Sequence, residues 1–597
     1  MSSPLKQIVK ISEQETRARE RFDPQKFGCY DLFTMNDSRL TAGKLFRAII
    51  GILIPFLLLS AFPLANGGVD PTGGGPLRKR PILNPMLQYI LWQNSRSLAQ
   101  GRGELDLTKF AGSLALYRDD QMLNASLFAQ RGGEGKIGYP EEGANRVGII
   151  FKTEGQAAFL DRPGLRVRTT TGSLATGTAS LAALADLAQN PRIKYLTLSR
   201  PVNPQLNLSL PAIGADALHE DAPVARGEEI VIGVVDSGID YEHRDFRIEA
   251  EEGGGEGGTR ILYIWDQTEN FAPPPAKFNY GTEYDKVEIE NDLRKNLGPN
   301  RGEVRAKDST GHGTHVAGIA AGDGSSSPAG YVGVAPQSWL ICVDSLFTTA
   351  SVIDGVSYIQ EKARSLGLPA VVNLSLGTQA GPHDGTSLFE QAINEMAKSG
   401  GPVVVSAGNA GGSNIHSGGA LNRGEKSSYV FSLPSYTPSD QLEDHLTIEG
   451  YYQGEGNLSL RLVAPSGEYT DWVELGELAS FSMGGGKIMI SNGPAGINED
   501  NEIFVRLSEG EGGNALLDGE WRLKLRAERR TDFDMWITEA YLGGRTEEVG
   551  FAGGDDKLTI SEPGNAEEVI TVGSFNTKNS WNGETMAGYP PGGLSPF

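Results

Sequence analysis

Three short stretches of this chain carry the residue types that proton transfer uses. VVDSGID sets a carboxylate, Asp236, just after an apolar run; DSTGHGTHVAGIAAG sets an imidazole, His312, among small residues; VVVSAGN ends on a carboxamide, Asn409. An imidazole titrates near neutral pH and can take up a proton and give it back. For Asp236 the plain alternative is a turn carboxylate that caps its own amides. His312 and His315 stand three apart, which could place two imidazoles on one helix face for a metal, but no acidic third ligand is evident beside them.

The elements that must position these groups are legible around them. Ile230 to Val235 is a continuous apolar strand running into the acidic turn at Asp236, as expected of a buried parallel strand that ends at a site. PAVVNLSLG (Pro369 to Gly377) and PVVVSAGN (Pro402 to Asn409) repeat the design, with helical stretches from Ser351 to Ser365 and from Ser387 to Ser399. This alternation predicts an α/β fold, a doubly wound parallel sheet whose functional groups gather at the C-terminal ends of its strands. Upstream, VGIIF (Val147 to Phe151), LRVR (Leu165 to Arg168) and IKYLTL (Ile193 to Leu198) read as strands. Ala179 to Gln189 reads as a helix with Thr178 as N-cap and Pro191 as stop, so this is a small α+β module.

After about Glu425 the pattern changes to period two without helices: LTIEGYY, NLSLRLVAP, KIMIS, EIFVRL, EWRLKLRAE and DMWITEAYL, joined by Gly, Asn and Asp. Such a run predicts an all-β sandwich. Because VITVGSF (Val569 to Phe575) returns to buried-strand composition, the sandwich is an insertion into the α/β domain. The resulting division is 1–34 of uncertain assignment, 35–65 a leader or anchor, 66–104 a Gly/Pro-rich linker, 105–210 the α+β module, 211–424 the α/β domain, 425–559 the sandwich and 560–597 the α/β domain resumed.

Composition narrows the function classes. The 597 residues carry a formal net charge of −22, which repels nucleic acid and anionic membranes, and no Lys/Arg cluster along the sequence forms a compensating basic face. Two cysteines, Cys29 and Cys342, exclude a disulfide framework and a thiolate metal site. Arg39, Lys44 and Arg47 precede an apolar run from Ala48 to Leu59, and small residues including Ala61 and Ala65 follow, which is the order of a secretory signal. An N-terminal membrane anchor is the competing reading. Either one predicts an exported protein, whether secreted, periplasmic or at the cell surface.

Taken in chain order, VVDSGID, GHGTHVAG and VVVSAGN resemble the subtilisin-like serine proteases, the subtilases, over Glu228 to about Asn414 and Val569 to Phe597. The resemblance implies that Asp236 is the acid, His312 the base and Asn409 the oxyanion donor, with His315 structural. It implies that Ser375, Leu376 and Gly377 form the strand edge that pairs with substrate backbone, and that Ala407 and Gly408 wall the primary specificity pocket. Asp245 matches a position that binds calcium in some relatives, though the rest of that site is not recognisable; calcium is thus admitted, and no cofactor is required. TRILYIWDQT and GPHDGTSLFEQAI look like the group typified by clostridial spore-germination proteases, which carries a jelly-roll between its Asn and Ser motifs. The α+β module then looks like a pro-domain, a chaperone and inhibitor of its own protease, with cleavage expected between Ser199 and Arg226.

The family's nucleophile stands in a GTSMAxP motif after the Asn. Ser387, in GTSL, precedes Asn409 and begins an amphipathic helix, so it reads as a helix cap. Thr585, in GETMAGYP, comes ahead of LSPF at Leu594 to Phe597, which resembles the start of the family's signature preceding the nucleophile. The expectation is a serine endopeptidase whose Ser motif lies beyond Phe597, leaving these 597 residues unable to hydrolyse anything. The competing expectation is a pseudoprotease that binds or regulates. Partners expected are a polypeptide substrate and the chain's own pro-domain, and no nucleic acid.

Overall fold

In a computed structural model, the residues described are 82–99, 116–118, 121–122, 146–153, 163–171, 173–198, 203–204, 213, 215–220, 225–248, 257–295, 302–326, 331–439, 443–510, 512–576, 580–581, 584–585 and 593–595. The apolar segment read as a signal or anchor lies outside them. Among the described residues no helix is long and apolar enough to cross a membrane.

A seven-stranded sheet organises the α/β domain. Its order is Thr282–Asp285, Ile261–Asp266, Trp339–Asp344, Val231–Asp236, Ala370–Leu374, Val403–Ser406 and Ile570–Val572. The first strand is antiparallel to its neighbour and all other pairings are parallel. Val231–Asp236 is the middle strand, and its alternate residues serve two cores. Val231 and Val235 pack with Ile353, Val356 and Ile393 from the helices Thr349–Ser365 and Leu388–Gly400. Val234 faces the other way, toward Val316 and Ala317 of the helix His312–Ala321. Helices thus cover both faces, and burial on both explains the near-continuous apolar runs in the sequence.

Between Val403–Ser406 and Ile570–Val572, which pair directly, the chain builds a separate all-β unit. One antiparallel sheet runs His416–Leu421, Thr531–Leu542, His445–Tyr452, Asn501–Glu509, Gly486–Pro494 and Glu477–Met483, with Arg545–Thr546 added on Thr531–Leu542. The second has Lys426–Leu433, Gly519–Ala527 and Leu458–Val463. A core containing Trp521, Leu523, Phe533 and Ile448 fills the space between them. The unit begins with His416, ahead of the boundary drawn at 425, because the Gly-rich strand HSGGAL lacks an alternating apolar signal.

The N-terminal module centres on the strand Arg146–Thr153, which pairs with Leu174–Ser180 and Ile193–Leu198. Two expectations need correction. Part of the stretch read as a linker is the strand Ile82–Leu83 and the helix Pro85–Ala99, whose Leu87, Ile90 and Leu91 are buried in the module's core. The second helix is Leu181–Leu187, capped by the Ser180 hydroxyl on Ala183 N, while Thr178 and Ala179 belong to the strand before it.

A buried carboxylate helps to seat the module on the α/β domain. Asp354, fully buried on the helix Thr349–Ser365, accepts hydrogen bonds from Thr169 Oγ1, from Thr176 Oγ1 at 2.8 Å and from Tyr280 OH at 3.0 Å. Arg168 lies 3.9 Å over the Tyr280 ring, and Ile150, Leu174 and Tyr195 of the module join the core beneath. Burial pushes the Asp354 carboxyl above its ordinary range, and Arg168 and the three hydroxyls pull it back. Asp354→Ala should therefore lower unfolding free energy by about 3 kcal/mol. Urea denaturation read alongside proteolysis of residues 82–198 checks this, with Asp354→Asn expected to fall between the parent and the alanine variant.

Candidate active site

The middle strand delivers Asp236 to the C-terminal edge of the sheet, where its side chain is fully buried. Its Oδ1 accepts the Ser237 amide at 2.7 Å and lies 2.7 Å from His312 Nδ1. The His312 ring, at the first position of its helix, is 18% exposed, and its Nε2 is buried. Burial pushes the Asp236 carboxyl up from the usual range; the hydrogen bond and charge of His312 and the Ser237 amide oppose it. A buried carboxylate on Nδ1 fixes the ring's tautomer and stabilises the imidazolium.

What aligns the pair is a second carboxylate. Asp308 Oδ1 accepts the Gly311 amide at 2.8 Å and the Ser237 hydroxyl at 2.8 Å, and its Oδ2 accepts the Thr314 amide at 2.7 Å. The Ser237 oxygen in turn accepts the Gly313 amide at 2.9 Å and the Thr310 hydroxyl at 2.7 Å. Gly311 has no side chain with which to cap the helix, so Asp308 and Ser237 satisfy its first amides from outside. The close approach needs glycine: a Cβ on Gly313 would stand 2.2 Å from Gly238 O.

Three carboxylates lie abreast at this edge, since Asp266, Asp344 and Asp236 are register partners on adjacent strands. Burial, then the nearby Asp266, Asp308 and Asp236, holds Asp344 well above the normal range, and burial pushes Asp266 to about 6. A carboxyl whose folded pKa exceeds its unfolded one costs stability as pH rises from the unfolded value through the folded one.

The other expected residues are placed as follows. Leu376 and Gly377 form a short strand next to Ser375, whose hydroxyl accepts Asn373 Nδ2 at 3.0 Å. That strand is already paired: Asn203–Pro204, downstream of the N-terminal module, runs antiparallel to it, Asn203 opposite Gly377 and Pro204 opposite Leu376. Ala407 and Gly408 follow the Val403–Ser406 strand, with Asn409 exposed just beyond. Ser561 bridges these two segments: its amide donates to Ala407 O at 2.8 Å, and its Oγ is 2.3 and 2.8 Å from where a Cβ would stand on Gly377 and Gly408. His315 is exposed on the His312 helix. Ser387 caps its helix, accepting Glu390 N at 3.1 Å, and Thr585 lies in a two-residue strand paired with Ser580–Trp581.

Asp245 Oδ1 accepts the Ser326 amide at 2.6 Å, and among the described residues no three acidic, His or Cys side chains converge to hold a metal.

Sequence reading missed Ser237, Asp308, Asp344 and Ser561. Only Asp308 left a signal, as the Asp-x-x-Gly that opens a helix cap.

Residues 227–493 match the model of the Subtilase family. Over those residues the chain is similar to the subtilases. Over 165 residues the chain is 30% identical to the thermophilic serine proteinase of Bacillus sp. (strain AK1), a stretch covering 27% of the chain and 39% of that protein. It is 29% identical over 198 residues to the PII-type proteinase of Lactococcus lactis subsp. cremoris, covering 31% of the chain and 9% of that protein. The chain thus spans well under two thirds of these curated relatives. The Clostridium perfringens CspB protease superposes with a TM-score of 0.50 at 27% identity, over 62% of this chain and 73% of that one. The matched span includes the strand ending in Asp236, the His312 helix, and residues 375–377 and 407–408, and also runs into the inserted all-β unit.

Two outcomes are expected. Ser237→Ala or Asp308→Ala should cost about 1–2 kcal/mol and speed hydrogen exchange at Gly311, Gly313 and Thr314 above other helix starts, read by NMR. Asp344→Asn should melt above the parent by a margin that widens from pH 4 to pH 8, because it removes a penalty that grows with pH.

Proposed function

We propose that this chain is the acid–base and substrate-binding part of a subtilisin-type serine endopeptidase. The observation that carries the reading is the 2.7 Å contact between the buried Asp236 and His312 Nδ1, at the end of the sheet's middle strand. In this reading His312 Nε2 takes the proton of a serine hydroxyl as the scissile carbonyl is attacked, then returns it to the leaving amine. Asp236 keeps the ring in its tautomer and stabilises its charge. Asn409 donates to the oxyanion from the cleft, where its exposure leaves it free to turn. Ser375 to Gly377 binds substrate backbone, and Ala407 and Gly408 wall the primary pocket.

The nucleophilic serine is not among these 597 residues in this reading. Ser387 is committed to capping a helix, and Thr585 would need a local base and carries an extra methyl at the point of attack. The module ending at 198 is the pro-domain, and Asn203–Pro204 occupies the edge a substrate would use, which supports an inhibitory role. The inserted all-β unit is the jelly-roll sandwich, and the protein is exported. The occupied edge also suits a pseudoprotease that acts by binding.

A fluorophosphonate probe should leave the 597-residue product unlabelled; stoichiometric labelling that disappears in His312→Ala would locate a working nucleophile inside it. The encoding DNA separates the two readings: an in-frame GTSMAxP motif past codon 597 supports the peptidase, and a stop codon there the binding protein.

A further inference from the structure

The second sheet of the inserted unit presents a basic, aromatic face that is invisible along the sequence. Trp521, Leu523, Leu525 and Ala527 point into the sandwich core, so Arg522, Lys524 and Arg526 point out. Leu458, Leu460 and Leu462 likewise turn Arg461 outward. Register sets Arg461 beside Lys524, and Lys426 beside Arg526. Five cations therefore share one face, at spacings of about 5 Å across strands and about 7 Å along them. Along the sequence these cations are dispersed, so no cluster signals them.

Two of the five are already compensated. Arg522 pairs with Glu520 at 2.7 Å, and Arg526 with Glu474 at 2.8 Å and Glu528 at 3.1 Å. Among the described residues Lys426, Lys524 and Arg461 make no ion pair. Arg461 instead lies 4.8 Å from the rings of both Tyr469 and Trp472, and Arg526 lies 4.8 Å over Trp472. Tyr469 is 64% exposed, a large ring left in solvent beside an unpaired guanidinium.

We propose that this face binds an acidic polysaccharide in which carboxylates are spaced along a chain of sugar rings. Aromatic rings offer stacking surfaces, and Lys and Arg head groups take carboxylates. A peptide added as a further strand is disfavoured, because both outer strands are bridged: Phe431 to Phe551 on one side, Leu460 to Val473 and Val463 to Tyr469 on the other. A densely charged nucleic acid is disfavoured by the net charge of −22, against which three unpaired cations suffice only for a sparsely charged polymer.

The test is affinity electrophoresis and calorimetry of the 597-residue protein with hyaluronan, which carries a carboxylate on alternate rings, beside neutral dextran, poly-glutamate and oligo-dT. Hyaluronan should bind, weaken with added salt, and lose at least tenfold in affinity in Lys524→Glu and in Tyr469→Ala, both with melting curves matching the parent. Absence of hyaluronan binding, equal binding of dextran, or affinity unchanged in both variants would overturn the proposal. Tighter binding of poly-glutamate or oligo-dT through the same residues would overturn it in favour of a peptide or nucleic-acid partner.

Discussion

The structure depends on keeping a carboxylate in the dark. Asp236 has lost its water at the end of the middle strand, and such burial is costly unless the carboxylate meets donors. His312 Nδ1 and the Ser237 amide both meet it at Oδ1, but the imidazole can do so only if its helix begins at the right place and height. Hence the layer of Ser237, Asp308, Thr310 and the amides of Gly311, Gly313 and Thr314, which ties the strand end to the helix start. Around that joint the two cores on either face of the sheet fix the strand, and through it the carboxylate.

The inserted unit and the N-terminal module are fastened to this frame by different means. The insert leaves after Val403–Ser406 and returns by Thr559 to Glu562, a segment whose backbone bonds to Ala407 and Thr378 before Ile570–Val572 rejoins the sheet. The module rests on the outer side of the helix Thr349–Ser365 through Asp354, and its core also takes in Met489 and Phe504 from the insert. Its following segment, Asn203–Pro204, pairs with Leu376–Gly377 beside the Val403–Ser406 strand.

How much of this could be read in the sequence followed from how local each signal was. Asp236 and His312 stood out because each sits in an unbroken run of residues with a strict steric role, and the parallel strands because burial on both faces leaves long apolar runs. The Ser237–Asp308 contact joins residues 71 apart whose types are ordinary in turns, so nothing marked it. The helix Pro85–Ala99 was lost in a Gly/Pro-rich neighbourhood, and His416–Leu421 is a strand of small residues stabilised by pairing with Thr531–Leu542. The basic face was written as alternate residues in three separate strands, and only their register brings those residues together.

The central claim is that Asp236 and His312 form a preassembled proton-handling pair. The most direct test is the His312 imidazole pKa, measured by NMR titration in the parent and in Asp236→Asn. If the buried carboxylate stabilises the imidazolium, removing its charge lowers the His312 pKa by about one unit or more. An unchanged value would contradict the account, because it would mean the two side chains are neighbours without sharing a charge.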